Sequence, residues 1–299
     1  MKIKQLLFLG CLISFPFANY SQQWHQYSDS IISNINKNDL EKAAYFVDLT
    51  DAEMKGLKVI KDTVYADYLY RKDILNYLQA KKCSDLLSES LAIWDASNKR
   101  NYFKIMKIHY FLGKNYISEE NYELAISSFE KCYEINKKYK LKENANFNEA
   151  LYLLAALYDN KGNRIKAGKY ADEYIALMQS TAYEYYDFRF ANAFEFKKDI
   201  KRQESVLLQF LTNYDKNKLN NSNLLFKINY ELFLFYSSNE KFSESIKYGE
   251  KAFEIQQKEH LEVNDELEEI FSDLIYNYEK IGDNINSVKF EKLKNTYFP

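Results

Sequence analysis

No proline stands between residues 17 and 298 of this 299-residue chain; its two prolines are Pro16 and Pro299. Proline removes a backbone donor and breaks helix interiors, and glycine loosens them. The chain has only seven glycines. So few breakers over such a length predict an all-α fold. Hydrophobic residues make up 46%, enough for a sizeable core, and 41 basic residues against 43 acidic ones leave a net charge of -2. That balance supplies no broad field for nucleic acid or anionic lipid. The 27 tyrosines suit half-buried helix faces, having an apolar ring and a wet tip. The many Asn, Lys, Ile and Tyr are also what AT-rich coding yields, and carry no functional weight on that account.

Residues 1–21 read differently. Lys2 and Lys4 precede an apolar run from Leu6 to Phe17, and a small or polar exit follows from Ala18 to Gln23. Charge, apolar run and polar exit in that order predict a secretory signal peptide, too short to span a membrane. The expected mature domain is 22–299, exported to the periplasm or the medium. Phe8-Leu9-Gly10-Cys11 approximates a lipoprotein cleavage box, but Phe8 replaces the usual Leu and the apolar run continues past Cys11. Lipid anchoring at Cys11 is therefore not expected. No later stretch is long and apolar enough for a membrane span. Cys83 and Cys132 remain, on expected inward helix faces, where two buried thiols are favoured over a disulfide.

The stretch HYFLGKNYISEENYELAISSF, residues 109–129, carries a spacing that the chain repeats. Leu112 and Tyr116 lie one helical turn apart. Gly113 and Ala125 let two helices approach, and Phe129 fills the space one turn later. Ser118 to Asn121 is the polar turn. The same slots recur at Leu154, Ala155, Tyr158, Ala167 and Ala171. They recur again at Leu232, Phe233, Tyr236, Ser245 and Gly249, and at Leu274, Ile275, Tyr278 and Ser287. Gly162 and Gly282 each follow their tyrosine by four residues. Weaker matches are Leu40, Ala43 and Val47; Ile74, Ala80, Cys83 and Leu87; and Ala193, Phe196 and Ser205.

This pattern resembles the tetratricopeptide repeat, in which W-x2-L-G-x2-Y is followed by A-x3-F and a proline. His109 stands in the Trp position and Lys137 in that of the Pro. The resemblance implies an α-solenoid of about seven stacked antiparallel helix pairs in a right-handed superhelix. The units would begin near residues 24, 64, 106, 148, 186, 226 and 268, in a long-repeat variety. No linker interrupts them, so one domain is expected.

The resemblance also implies that the first helix of each pair lines a binding groove. Tyr68, Tyr110 and Tyr152 follow one another at 42 residues, Phe190 and Tyr230 continue the row, and Lys72 and Lys114 recur one turn further on. Two readings stand: a ligand-facing aromatic ladder flanked by lysines, or rings packed between adjacent first helices. The family's basic-and-Asn clamp for C-terminal carboxylates is not reproduced.

Signs of chemistry are sparse. His25, His109 and His260 lack metal-ligand spacing, and no phosphate loop, nucleophile elbow or C-x-x-C is present. The acidic run from Glu262 to Glu269 reads as a solvated helix face. The expectation is a non-catalytic scaffold without cofactor or metal, binding a protein or peptide and not nucleic acid. The alternative is the extracytoplasmic sensory module of a signalling system whose membrane and output parts lie outside this chain.

Overall fold

The computed structural model describes residues 24–55, 59–81, 84–142, 144–179, 182 and 186–298. The apolar run at 1–21, Cys11 and Cys83 lie outside them. The described residues form fourteen α-helices and no strand. Helix α1 covers 24–35, followed by α2 (Leu40–Lys55), α3 (Thr63–Leu78), α4 (Asp85–Ala96), α5 (Tyr102–Ser118), α6 (Tyr122–Tyr139) and α7 (Ala145–Asn160). Then come α8 (Arg164–Met178), α9 (Phe188–Glu195), α10 (Ile200–Lys216), α11 (Ser222–Ser238), α12 (Phe242–Glu259), α13 (Asp265–Lys280) and α14 (Asn284–Tyr297). The seven pairs α1–α2 to α13–α14 match the seven expected units, with first helices starting within a few residues of the predicted positions.

The punctuation replacing proline is a single left-handed residue per hairpin. Asn38, Ala80, Glu120, Gly162, Lys198, Glu240 and Gly282 all have φ between 54° and 80°. Each ends a first helix and reverses the chain, and only two are glycine. Asparagine and aspartate supply the next signal. Asp39, Asp62, Asn101, Asn121, Asn144, Asn163, Asp187, Asp199, Asn221, Asn264 and Asp283 each accept a backbone N–H at a helix start. Such caps satisfy donors that the helix cannot satisfy itself. The asparagine content therefore has a structural use beyond coding bias.

The left-handed residues also fix the repeat register. Counting from them, the shared tyrosines Tyr116, Tyr158, Tyr236 and Tyr278 stand four residues earlier, and Ala43, Ala125, Ala167, Ser245 and Ser287 stand five residues later. These five small residues are buried, and Ser245 donates its hydroxyl to the Phe233 carbonyl of the first helix. Two weaker assignments change. Ala80 is the turn residue itself. Ser205 lies on the exposed side of α10, and the buried Gln203 fills the small-residue slot instead.

The chain divides into two compact units, one ending at Leu157 and one beginning at Tyr158. In the first, Trp24, Ile31, Tyr68 and Leu69 form one cluster, and Leu87, Trp94, Ile108 and Leu112 another. In the second, a continuous core runs from Ala182 to Phe290 and includes Phe210, Phe233 and Phe271. Burying each such side chain contributes about 1.5–3 kcal/mol. Cys132 is a buried free thiol, and burial pushes its pKa up to about 12, so it is a packing group. Among the described residues, no helix is long and apolar enough to cross a membrane.

Candidate functional site

The groove residues expected from spacing are all on first helices, but most of their rings are buried. Tyr68, on α3, is 1% exposed, and its hydroxyl donates to Asp51 Oδ1 at 2.5 Å. Lys72 Nζ lies 2.7 Å from the other oxygen of Asp51 and 5.7 Å from the centre of the Tyr68 ring. Tyr110, on α5, is 4% exposed. Lys114 bonds Glu149 of α7 at 3.0 Å and stands 5.8 Å from the Tyr110 ring and 5.3 Å from that of Tyr77. Burial alone would lower the Lys114 pKa; the hydrogen bond and charge of Glu149 outweigh it and leave the group raised.

Tyr152, on α7, is half-buried. Phe190 is buried on α9, its ring edge-on to Phe194 with centroids 5.4 Å apart. The Tyr230 ring is buried on α11; its hydroxyl donates to Glu269 of α13, and Lys227 stands 4.5 Å from the ring centre. Burial first, and the facing carboxylates second, raise the phenol pKa of Tyr68, Tyr110 and Tyr230. What is partly exposed beside these rings is the lysines Lys72, Lys114 and Lys227, held by carboxylates.

Two members of the expected row are out of register. Counted from the turn residues, the position of Tyr110 is held by Tyr70, Tyr152, Phe188 and Tyr230. Tyr68 and Phe190 each stand two residues away, because the second and fifth hairpins do not follow the 42-residue step. Two of these rings face the next first helix, Tyr70 meeting Phe111 edge-on at 5.7 Å and Tyr230 meeting Glu269, while Phe188 packs edge-on against Phe210 of its own hairpin at 5.4 Å. The carboxylates are the residues that spacing missed. Glu149 and Glu269 are 120 residues apart in the same repeat position, and each contributes to raising the pKa of the tyrosine on the preceding first helix.

In the second unit further carboxylates gather near Glu269. Lys227 bonds Glu266 at 2.6 Å and lies 3.4 Å from Glu231. Asp273 shares the Ser237 hydroxyl with Asn277, each at 3.3 Å. Burial raises the Glu231 pKa; Lys227 opposes this and the charges of Glu266 and Glu269 add to it. Burial and the Glu269 charge raise that of Asp273. Part of the acidic run is thus engaged with α11. His109 adds no charge at neutral pH, since burial lowers its pKa to about 4. Among the described residues, no group of three or more His, Cys, Asp or Glu could hold a metal ion.

No family model matches this sequence, and no curated protein does either. Solved structures do. RapI in its apo form is 12% identical with a TM-score of 0.66, covering 92% of this chain and 97% of its own. Aspartyl phosphate phosphatase F from Bacillus subtilis is 14% identical at a TM-score of 0.62, covering 99% and 77%. NprR in complex with its cognate peptide NprX is 13% identical at 0.53, covering 92% and 78%. At such identities the likeness speaks for the fold alone. That fold is the all-α solenoid of tetratricopeptide-like repeats.

Proposed function

We propose that this chain is an exported, non-catalytic scaffold that holds a segment of protein or peptide along its first helices. The observation that carries the reading is the recurrence, on the first helices α5 and α11, of a buried tyrosine ring beside a lysine–carboxylate pair. Tyr110 is accompanied by Lys114 and Glu149, and Tyr230 by Lys227, Glu266 and Glu269. Buried rings give a firm floor, and exchangeable charge pairs give sites at which a bound segment's own charges substitute. NprR, of the same fold, was solved with a peptide, which supports the reading by analogy. Export rests on the order of charge, apolar run and polar exit in residues 1–21.

The test is capture from envelope extract with the mature chain, repeated with Lys114→Glu and Glu269→Lys. A partner whose affinity falls in either variant, and shifts with salt, supports the reading. A partner indifferent to both substitutions would move the binding surface elsewhere. Intact-mass measurement tests export: a mature N-terminus near Gln22 is expected, and a cytoplasmic product retaining Met1 would refute it.

A further inference from the structure

In three hairpins the shared tyrosine is covered by a second aromatic ring twelve residues further on. Tyr158 stacks on Tyr170 (centroids 5.9 Å apart, planes at 12°), Tyr236 on Tyr248 (5.5 Å, 7°) and Tyr278 on Phe290 (5.7 Å, 16°). In the α5–α6 hairpin the same two positions are Tyr116 and Ser128. The tyrosine is kept and its covering ring is absent. A cavity of about 380 Å³ lies there, lined by Tyr116 and Ser128 together with Leu112, His109, Asp95 and Lys131.

We propose that this cavity receives one aromatic side chain of a bound polypeptide. The missing group in the repeat is a side-chain ring, so the vacated position has the dimensions and the stacking face for one. The apolar wall is made by Leu91, Leu112 and Leu124. His109, neutral in its buried setting, can share a proton with an indole N–H or a phenol without bringing a charge into the floor. Asp95 on α4 and Lys131 on α6 place one charge of each sign at the lining, suited to the backbone and neighbouring residues that carry the ring. The partner class is the one proposed above, but the surface is different. Failure at the first-helix face would leave this pocket untouched, and the reverse holds too.

The full chain would be titrated with N-acetyl-L-tryptophanamide while the His109 ring resonance is followed by NMR. A saturable shift with Kd on the order of 1 mM is expected for a ligand of this size. N-acetyl-L-leucinamide should bind clearly more weakly, and acetyl-Gly-Trp-Gly-amide at least as tightly as the single residue. Ser128→Tyr supplies the ring found in the sister hairpins, and should raise the unfolding midpoint and abolish the response. Should that variant not fold, Tyr116→Leu removes the stacking face and should weaken the probe about three- to tenfold. The proposal is overturned by no saturable shift, by equal binding of the leucine probe, by weaker binding of the tripeptide, or by unchanged affinity in either variant.

Discussion

Gly249 lies so close to Phe233 that a Cβ on it would come within 2.7 Å of the phenyl ring. In the α5–α6 hairpin the same pair is exchanged: Gly113 is on the first helix, and its Cβ would lie 2.6 Å from the ring of Phe129 on the second. One ring fills one gap between two helices, and the repeat tolerates either helix as its source. Alanine is the better helix former by about 1 kcal/mol. Were the gap loose, Gly113→Ala or Gly249→Ala would stabilise. With the ring in the way, each should cost roughly 1–3 kcal/mol by overpacking. The exchange Gly113→Phe with Phe129→Gly should cost less than Gly113→Phe alone. Urea melts decide it, and a stabilised alanine variant would refute the packing argument.

Ala125 and Ala167 are fully buried, each five residues after its turn residue. Ala125→Leu and Ala167→Leu should each cost roughly 1–3 kcal/mol. Wild-type denaturant midpoints in both would mean that the register of these hairpins is wrong.

The left-handed turn residues lead to a prediction of the opposite sign. Glu120 and Glu240 adopt φ of 59° and 58°. An L side chain there costs about 1–2 kcal/mol, and glycine avoids that at the expense of a more flexible unfolded chain. Glu120→Gly and Glu240→Gly should therefore stabilise by up to about 1 kcal/mol. Gly162→Ala and Gly282→Ala should destabilise by a similar amount. Equal melting of all four variants and wild type would show that the turns relax freely.

Much of this fold was legible because the strongest signals were local. The absence of proline, the Leu-Gly-x2-Tyr and Ala-x3-Phe spacing, and the two turn glycines located four hairpins directly. The weaker hairpins were harder because the shared tyrosine and the small residue are replaced there, by Asn76 and Asp85 around Ala80 and by Phe194 and Gln203 around Lys198. Without those anchors Tyr68 was placed by a step of 42 where the turn residues are 40 apart, and Phe190 by a step of 38 where they are 36 apart, so each stands two residues out. The carboxylates were hidden for another reason. Glu149 and Glu269 act across neighbouring repeats, and single-helix patterns do not reveal such partners. The role of Ser128 became apparent only when the sister rings at Tyr170, Tyr248 and Phe290 were seen stacked.

Alkaline pH should expose the buried phenols. Tyr68, Tyr110, Tyr230, Tyr236 and Tyr278 all have raised pKa values, through burial first and facing carboxylates second. A group raised in the folded state contributes stability that is fully present below its unfolded pKa, about 10 for tyrosine, and is lost as pH rises toward the folded value. The melting temperature should therefore fall steadily above about pH 10. Tyr230→Phe and Tyr278→Phe should make that fall shallower. An unchanged slope in the double variant would assign the alkaline loss to other groups.

The last prediction separates packing from recognition at the first helices. Tyr68 and Tyr110 are 1% and 4% exposed, so truncating either to Ala removes a buried ring. Each should cost about 3–5 kcal/mol, and the triple variant with Tyr152→Ala should lose its helical circular dichroism. That variant cannot report on binding. Tyr110→Phe can, because it keeps the ring and removes the hydroxyl that faces Glu149. Losing one hydrogen bond to a charged group should cost about 1.5–3 kcal/mol and leave the chain folded. If a captured partner uses the first-helix surface, Tyr110→Phe with Lys114→Glu should weaken it while helical content stays at the wild-type level. An acidic partner should suffer more than a neutral one, and added salt should reduce the difference. Unchanged affinity in this folded double variant would remove the Tyr110 station from the binding surface and leave its ring a purely structural part of the α5–α7 contact.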